Sequence, residues 1–256
     1  MKEHNSKITL EEAYNKAIST DPIEQTIGIQ KEKVLHKTMK YFLSFNEANH
    51  EIKISKTNKG ILYADVKIDN TIYEIQTRSF NALRNKLDEF LINYTVVIVH
   101  PIAYHKKLFI LNDKYELVNT RKSPKKGNPL EIFKELYKIK NYLSNPNLKI
   151  KIVLLDMDEY KVQKEKKHYR SSGYERIVQI PKRLEKIVDL YNKEDFKNLL
   201  KEYNLPFEFT SNIFSKCTRL NKKYSIVALN VLTHLEIVKR VSKIKNNYLY
   251  QINENT

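Results

Sequence analysis

The spacing of apolar and polar residues predicts helices in the first part of the chain. Thr9 and Glu12 have the spacing of a helix capping box, so a first helix is predicted from Leu10 to about Ser19. Apolar residues recur at helical spacing over 25–43 and again over 81–92, which predicts two further helices. The sequence between these two segments is rich in β-forming residues and favours strands.

The predicted strands combine with the helices into a mixed α/β sheet. Two β-rich runs, 62–68 and 71–77, flank Asp69 and Asn70, which tolerate positive φ and therefore predict a tight hairpin turn. A continuous apolar run at 94–99 is typical of a strand buried on both faces. Shorter strands and one further helix complete this part of the chain, the strands at 51–55, 107–111 and 150–155 and the helix at 128–143.

The predicted hairpin brings polar side chains together. Asp65 lies directly opposite Glu74, because each is four residues from the nearer turn residue. Opposed side chains lie ~5 Å apart at Cβ, and two like charges there destabilise the sheet unless a cation separates them. Gln76 follows Glu74 by two residues and is therefore predicted on the same face.

The pattern changes after residue 160. A charged, polar stretch opens the segment 161–181, which is predicted to be a mobile linker. Four helices and a basic β-ribbon are predicted beyond residue 181, at 183–191, 194–203, 210–218, 225–235 and 238–252. We therefore expect two domains, 1–160 and 182–256, joined by this linker.

Composition and charge narrow the classes of function. The formal net charge of +16, from 46 basic and 30 acidic residues, favours a polyanionic partner, and a lysine-rich solubilising surface is the alternative. The sequence has no Gly-rich phosphate-binding motif, which argues against a nucleotide-dependent enzyme. The single cysteine, Cys217, excludes an internal disulfide and a cysteine-based zinc site. The sequence shows neither a signal peptide nor a membrane-spanning stretch, so we expect a cytoplasmic protein.

The acidic residues of the hairpin follow a known pattern. Asp65, an eight-residue spacer and the E-x-Q of Glu74 and Gln76 resemble the PD-(D/E)XK superfamily of restriction-like nucleases. In that family a preceding helix carries a further acidic residue, which Glu32 matches. The resemblance covers about 32–155 and implies a restriction-endonuclease-like mixed sheet flanked by helices. The chain departs from the family at Gln76, where Lys is usual, and a neutral amide orients water or phosphate through hydrogen bonds alone.

The resemblance also implies an activity. It implies a metal-dependent endonuclease that hydrolyses DNA phosphodiester bonds, related to restriction or defence. Asp65 and Glu74 would hold Mg²⁺ or Mn²⁺, because these ions prefer hard oxygen ligands. Glu32 would assist, and Gln76 would position the attacking water. The alternative is that Asp65 and Glu74 are ordinary solvent-facing residues of a hairpin.

The end of the chain resembles a winged helix, because a short helix, a turn, a longer helix and a hairpin follow one another. In that family the long helix enters the major groove of DNA and the wing contacts phosphates. A basic loop before the helix at 128–143 is a further candidate for phosphate contacts. The residues expected to contact DNA are Arg121, Lys122, Lys125, Lys126, Lys222, Lys223, Tyr224, Asn230, Lys239, Arg240, Lys243 and Lys245.

Two other functions stay open at this stage. The first is a non-catalytic DNA-binding regulator that keeps the nuclease fold as a scaffold, and the second is an adaptor that binds proteins through a basic surface. We expect DNA as the partner and no association with a membrane. A homodimer is a further hypothesis, because double-strand cleavage usually needs two active sites.

Overall fold

The computed structural model describes residues 8–19, 33–58, 60–164 and 173–253. The helices of these residues are α1 (Leu10–Ser19), α2 (Lys33–Leu43), α3 (Arg84–Asn93), α4 (Phe133–Leu136), α5 (Lys193–Lys201), α6 (Ser211–Thr218) and α7 (Lys222–His234). The strands are β1 (His50–Thr57), β2 (Gly60–Ile68), β3 (Thr71–Ile75), β4 (Thr95–Leu111), β5 (Leu117–Lys122), β6 (Leu148–Gln163), β7 (Tyr174–Leu190), β8 (Phe209–Thr210), β9 (Val238–Ile244) and β10 (Asn247–Ile252). The fold class is therefore mixed α/β, as predicted.

Two local sequence signals produce the structures that they predict. At the start of α1, the Thr9 N–H donates to Glu12 Oε2 over 2.8 Å, and the Glu12 N–H donates to Thr9 Oγ1 over 3.2 Å, which completes the capping box. In the hairpin, Ile68 pairs with Thr71, so the turn consists of the two residues between them, and its first residue has a φ of 49°. Both predictions are confirmed.

The larger sheet is mixed and has helices on both faces. Its strand order is β1-β2-β3-β4-β6-β7, with β5 paired to β4. The pairs β1–β2, β2–β3, β4–β5 and β6–β7 are antiparallel, whereas β3–β4 and β4–β6 are parallel. One hydrophobic cluster joins α1 and α2 to one face, for example Met39 with Val97 and Val153. A second cluster joins α3 and α4 to the sheet, for example Phe90 with Ile98.

The last two strands of the larger sheet correct the sequence prediction. β7 pairs with β6 from Ile150–Leu190 to Gln163–Tyr174, so the helix predicted at 183–191 is wrong. The linker predicted at 161–181 is also wrong where it is described, because 161–163 and 174–181 are strand. Leu, Lys and Glu favour a helix locally, but burial of every second residue at Val188 and Leu190 follows the period of a strand. Pairing with the preceding strand β6 overrides the local propensity.

Two smaller corrections concern the middle of the chain. The strand predicted at 107–111 is the continuation of β4, which is 17 residues long. The helix predicted at 128–143 is broken into a 3-10 turn (Pro129–Ile132), the short α4 and a second 3-10 turn (Tyr137–Tyr142). Ile139 interrupts the second turn with a φ of −118° and buries its side chain.

The segment from α5 to β10 packs on the sheet rather than standing apart from it. Its three strands pair antiparallel in the order β8-β10-β9, so the β-ribbon predicted at 238–252 is confirmed. Phe209, Phe214 and Leu229 of this segment belong to the same hydrophobic cluster as Phe133 and Phe90. The predicted boundary at residue 182 lies inside β7 and is therefore wrong, since the two predicted domains share one core. Within the described residues, no helix has both the length and the apolar composition to cross a membrane.

Candidate metal and catalytic site

The β2–β3 hairpin places two acidic side chains next to each other, and each accepts a hydrogen bond from the backbone of the other strand. Val66 pairs with Tyr73, and the same register places Asp65 opposite Glu74, as the sequence predicts. The Asp65 N–H donates to Glu74 Oε1 over 3.3 Å, and the Ile75 N–H donates to Asp65 Oδ2 over 2.8 Å. Glu74 is 2% exposed, so its carboxyl lies in the interior at the junction of the two strands.

Each carboxylate has a cationic or basic neighbour supplied by a helix. His36 Nε2, on α2, lies 3.2 Å from Asp65 Oδ2. Lys86 Nζ, on α3, lies 2.8 Å from Glu74 Oε2. His36 thus contacts Asp65, the Asp65 N–H contacts Glu74, and Glu74 contacts Lys86. Both faces of the sheet contribute to the site, because α2 and α3 belong to different hydrophobic clusters.

Burial and charge move the pKa values of the two carboxyls in opposite directions. Burial, and then the negative charge of Asp65, raise the pKa of Glu74 to about 7, although Lys86 opposes this rise. Burial also opposes ionisation of Asp65, but the hydrogen bond and charge of His36 outweigh it and hold the pKa of Asp65 below its usual value. A divalent cation between the two carboxyls would favour the ionised form of both.

The backbone of Gln76, two residues after Glu74, forms two hydrogen bonds with β4. Its N–H donates to the Val99 carbonyl over 2.9 Å, and its own carbonyl accepts a hydrogen bond from His100 Nδ1. Burial lowers the pKa of His100, so a neutral ring whose proton is on Nδ1 suits this contact. The Gln76 side chain is half-buried and accepts from the Arg78 N–H over 3.5 Å.

Lys86 is the functional candidate that sequence reasoning missed. It carries the positive charge beside Glu74 that Gln76 lacks. Its only sequence signal is its place on the helix that follows the second acidic strand, and helical lysines are common on solvated faces. Glu32, predicted to assist the metal, lies outside the described residues. His36, one turn further along the predicted helix, contacts Asp65 instead.

A second polar cluster lies on the longer strands. Ligand atoms of His105, Asp156 and Glu185 lie within 4.8 Å of one another. The Arg183 guanidinium already contacts this cluster, at 2.9 Å from Asp156 Oδ2 and also next to Glu185. Burial opposes ionisation of Asp156, but the hydrogen bonds of Arg183 and His105 hold its pKa below the usual value. Arginine thus supplies the cation that balances these carboxylates.

The basic residues predicted near the helix at 128–143 lie on β5 and the loop after it. Arg121 and Lys122 are exposed on β5. Lys125 forms an ion pair with Glu131 over 3.2 Å, and Lys126 Nζ lies 4.2 Å from the Tyr104 ring centroid. The contact of these four residues with DNA stays a prediction.

The basic residues predicted in the last segment divide into two groups. Lys222 and Lys223 are exposed at the start of α7. Tyr224 and Asn230 instead contact the first part of the chain, because Lys134 Nζ lies 5.9 Å from the Tyr224 ring and Lys140 Nζ donates to Asn230 Oδ1 over 3.3 Å. The four residues predicted on the wing are exposed on the β9–β10 ribbon, namely Lys239, Arg240, Lys243 and Lys245.

The raised pKa of Glu74 predicts how the metal-free protein responds to pH. The folded state holds this proton more tightly than the unfolded chain, so stability falls as the pH rises from 4.5 to about 7. The loss is at most about 3 kcal/mol. Glu74→Gln removes this titration, and the variant is expected to be more stable than the parent protein at pH 8 and equally stable at pH 4.5. Thermal unfolding in EDTA at the two pH values measures the difference.

A matched control uses an exposed glutamate far from the hairpin. Glu11→Gln, on α1, makes the same chemical change at an exposed position and is expected to leave the pH dependence unaltered. A Glu74→Gln variant that unfolds earlier than the parent protein at pH 8 would contradict the raised pKa.

Comparison with known proteins places the chain among uncharacterised relatives. Residues 33–191 match the family model described as a domain of unknown function (DUF8091). An uncharacterised protein of Treponema pallidum (strain Nichols) is 28% identical over 173 residues, which is 68% of this chain and 65% of that protein. The chain thus aligns with less than two thirds of the length of that relative. No solved structure matches the chain.

Proposed function

We infer that this chain, which belongs to the DUF8091 family, is a metal-dependent endonuclease that hydrolyses DNA phosphodiester bonds. One observation carries the proposal: Asp65 and Glu74 lie opposite each other on β2 and β3, where the Asp65 N–H donates to Glu74 Oε1, and Lys86 lies beside Glu74. A buried pair of like-charged carboxyls destabilises a fold unless a ligand uses it. Lys86 and His36 balance part of this charge, and a bound divalent cation would favour the ionised form of both carboxyls.

The order of elements around the pair supports a PD-(D/E)XK core. A helix (α2) precedes three antiparallel strands (β1–β3), and a second helix (α3) leads to a parallel strand (β4). The acidic residues lie on the second and third strands of this unit, where the resemblance requires them. Lys86 on α3 supplies the charge that the family usually provides from the position of Gln76.

The residues present fit a hard divalent cation. Asp65 and Glu74 offer carboxylate oxygens, the ligands that Mg²⁺ and Mn²⁺ prefer, and these two residues would hold the ion. When bound, such an ion lowers the pKa of water and stabilises negative charge on a phosphodiester. His36 holds the Asp65 carboxylate in place, Lys86 presents a positive charge to a phosphate oxygen, and Gln76 offers an amide to orient water.

The last segment supports DNA as the substrate. Its order, α5, β8, α6, α7, β9 and β10, with β8 paired to β10, is consistent with a winged helix. The formal net charge of +16 favours association with a polyanion. The exposed ribbon would contact phosphates, whereas Tyr224 and Asn230 are engaged by lysines of the first part of the chain.

Incubation with supercoiled plasmid tests the proposal. Purified protein is expected to nick or linearise the plasmid with Mg²⁺ or Mn²⁺ and to leave it intact in EDTA, because the two carboxylates need the ion to act on phosphate. Heat-inactivated protein serves as the control for contaminating nuclease. Intact plasmid at all metal concentrations, together with intact linear duplex and single-stranded DNA, would contradict the proposal.

One observation favours the alternative of a non-catalytic DNA-binding regulator. The ion pair between Lys86 and Glu74 engages one carboxylate oxygen and partly balances the site without a metal. Salt-sensitive binding of duplex DNA, with no cleavage in any metal, would support the regulator and not the nuclease.

A further inference from the structure

A basic cleft opens between α3 and the 3-10 turn that follows α4. Its volume is about 290 Å³. Its lining includes three cations, Arg84, Lys138 and Lys140, and two tyrosines, Tyr137 and Tyr142. Tyr137 is 48% exposed, and Lys140 Nζ lies 5.6 Å from its ring centroid, so the ring and the ammonium face the same part of the cleft. None of these residues belongs to the metal site or to the predicted DNA contacts.

Two of the three cations form no ion pair with a carboxylate of the described residues. Lys138 forms an ion pair with Glu135 over 2.8 Å. Arg84 Nε donates to the Lys138 carbonyl over 2.9 Å, and Lys140 Nζ donates to an amide oxygen on α7 over 3.3 Å. Among the described residues, neither Arg84 nor Lys140 forms an ion pair with a carboxylate. Asp88 accepts a hydrogen bond over 2.7 Å from Tyr142, which lines the cleft. With Glu135 and Asp88 set against the three cations, the cleft holds a surplus of about one positive charge, which suits an anion.

The cleft connects the metal site with α7. On one side, Lys138 Nζ donates to Ser79 Oγ over 3.0 Å. Ser79 follows Glu74 by five residues, a chain length of at most about 17 Å, which equals the rise of about five base pairs. On the other side, Lys140 contacts Asn230 of α7. The cleft therefore contacts both the chain segment that follows Glu74 and the last segment of the molecule.

We propose that this cleft binds the phosphate backbone of a nucleic acid strand and guides it from the metal site toward α7. Arg84 and Lys140 would contact phosphate oxygens, and Tyr137 would pack against a sugar or base. Because Arg84 and Lys140 would contact the phosphate backbone, their contribution to binding is independent of base sequence. The inference rests on the proposed action on DNA, but it concerns binding and does not need cleavage.

Equilibrium binding in EDTA tests the cleft without any cleavage. The double variant Arg84→Gln/Lys140→Gln is titrated with a labelled 30-base-pair duplex of arbitrary sequence over a series of salt concentrations. We expect affinity to fall about 10-fold or more, and the slope of log affinity against log salt to shrink by about two, which corresponds to two lost phosphate contacts. A circular dichroism melt establishes that the variant is folded.

The control variant removes the same charge from lysines that are already ion-paired. Lys186→Gln/Lys193→Gln is expected to keep nearly the parent slope, because Glu202 and Glu236 balance these two lysines. If Arg84→Gln unfolds the protein, Lys140→Gln alone is expected to reduce the slope by about one. Equal slopes for the cleft and control variants would overturn the proposal.

A second experiment distinguishes binding of a nucleic acid backbone from binding of a free small anion. Inorganic phosphate and a nucleoside monophosphate are added separately, and the melting temperature is recorded. Stabilisation by either compound that is lost in the cleft variant, while duplex binding is unchanged, would assign the cleft to a free anion and overturn the proposal. Loss of duplex binding in the cleft variant, even with no plasmid cleavage by the parent protein, would uphold the cleft and refute only the nuclease.

Discussion

Asp65→Asn is expected to reduce metal-dependent DNA cleavage by about 1000-fold, equivalent to about 4 kcal/mol of transition-state stabilisation. The change removes one of the two carboxylates proposed to hold the ion and keeps the size of the side chain. An asparagine oxygen still accepts the hydrogen bond from the Ile75 N–H, so the hairpin keeps this contact. The loss would therefore come from the missing charge and not from a disturbed fold.

Single-turnover cleavage of a labelled duplex at saturating Mg²⁺ measures this loss, and a thermal melt checks the fold. Asp69→Asn is the matched control, because it makes the same chemical change four residues along the same hairpin. Asp69 is exposed at the turn with a φ of 49°, a conformation that asparagine tolerates. Equal cleavage rates for the two variants would show that Asp65 does not hold a catalytic metal.

The contact between Asp65 and Glu74 could be predicted because it depends on local sequence. A two-residue turn fixes the register of a hairpin, and the register fixes which residues are opposed. The capping box of α1 is local in the same sense. Such features need only a few neighbouring residues to form, so a short segment of sequence contains the information that determines them.

The end of β7 could not be predicted in the same way, because Leu190 pairs with Ile150 at the opposite end of the preceding strand β6, so this pair is far apart along the chain. Residues 183–191 contain Leu, Lys and Glu, which favour a helix when considered alone. The segment becomes a strand through fourteen residue pairs with β6, from Ile150–Leu190 to Gln163–Tyr174. For such a strand, the only signal in the sequence is the alternation of buried and exposed positions. Bulges in the pairing of β6 with β7 interrupt that alternation.

The missed role of Lys86 has a similar physical origin. The residue lies on α3, twelve residues beyond Glu74, and reaches the site only because α3 packs against the sheet. Likewise, the contacts of Tyr224 and Asn230 with Lys134 and Lys140 depend on how the last segment packs on the first. The sequence thus predicted the pair of acidic residues, whereas their cationic neighbour depends on tertiary packing.

Lys86→Gln is expected to lower the cleavage rate about 100-fold, because it removes the positive charge beside Glu74. Lys86 also lowers the pKa of Glu74, so its loss is expected to raise that pKa above about 7. At subsaturating Mg²⁺, cleavage is expected to rise with pH as Glu74 ionises and takes up the ion, and this rise would move to higher pH in the variant. A residue that only supported the fold would lower activity without this displacement, so the pH profile identifies the electrostatic role.

A double variant restores the positive charge lost in Lys86→Gln from a different position, residue 76. Gln76→Lys in the Lys86→Gln background places a lysine where the PD-(D/E)XK pattern usually has one, two residues after Glu74. We expect the double variant to recover at least about 10-fold in rate over Lys86→Gln, because a cation near the carboxylates is restored. Lys67→Gln on β2, whose ammonium contacts the Asp69 carbonyl over 2.7 Å, is the control for loss of a nearby lysine. Failure of the double variant to recover any rate, with both proteins folded, would show that the charge of Lys86 is not what the reaction uses.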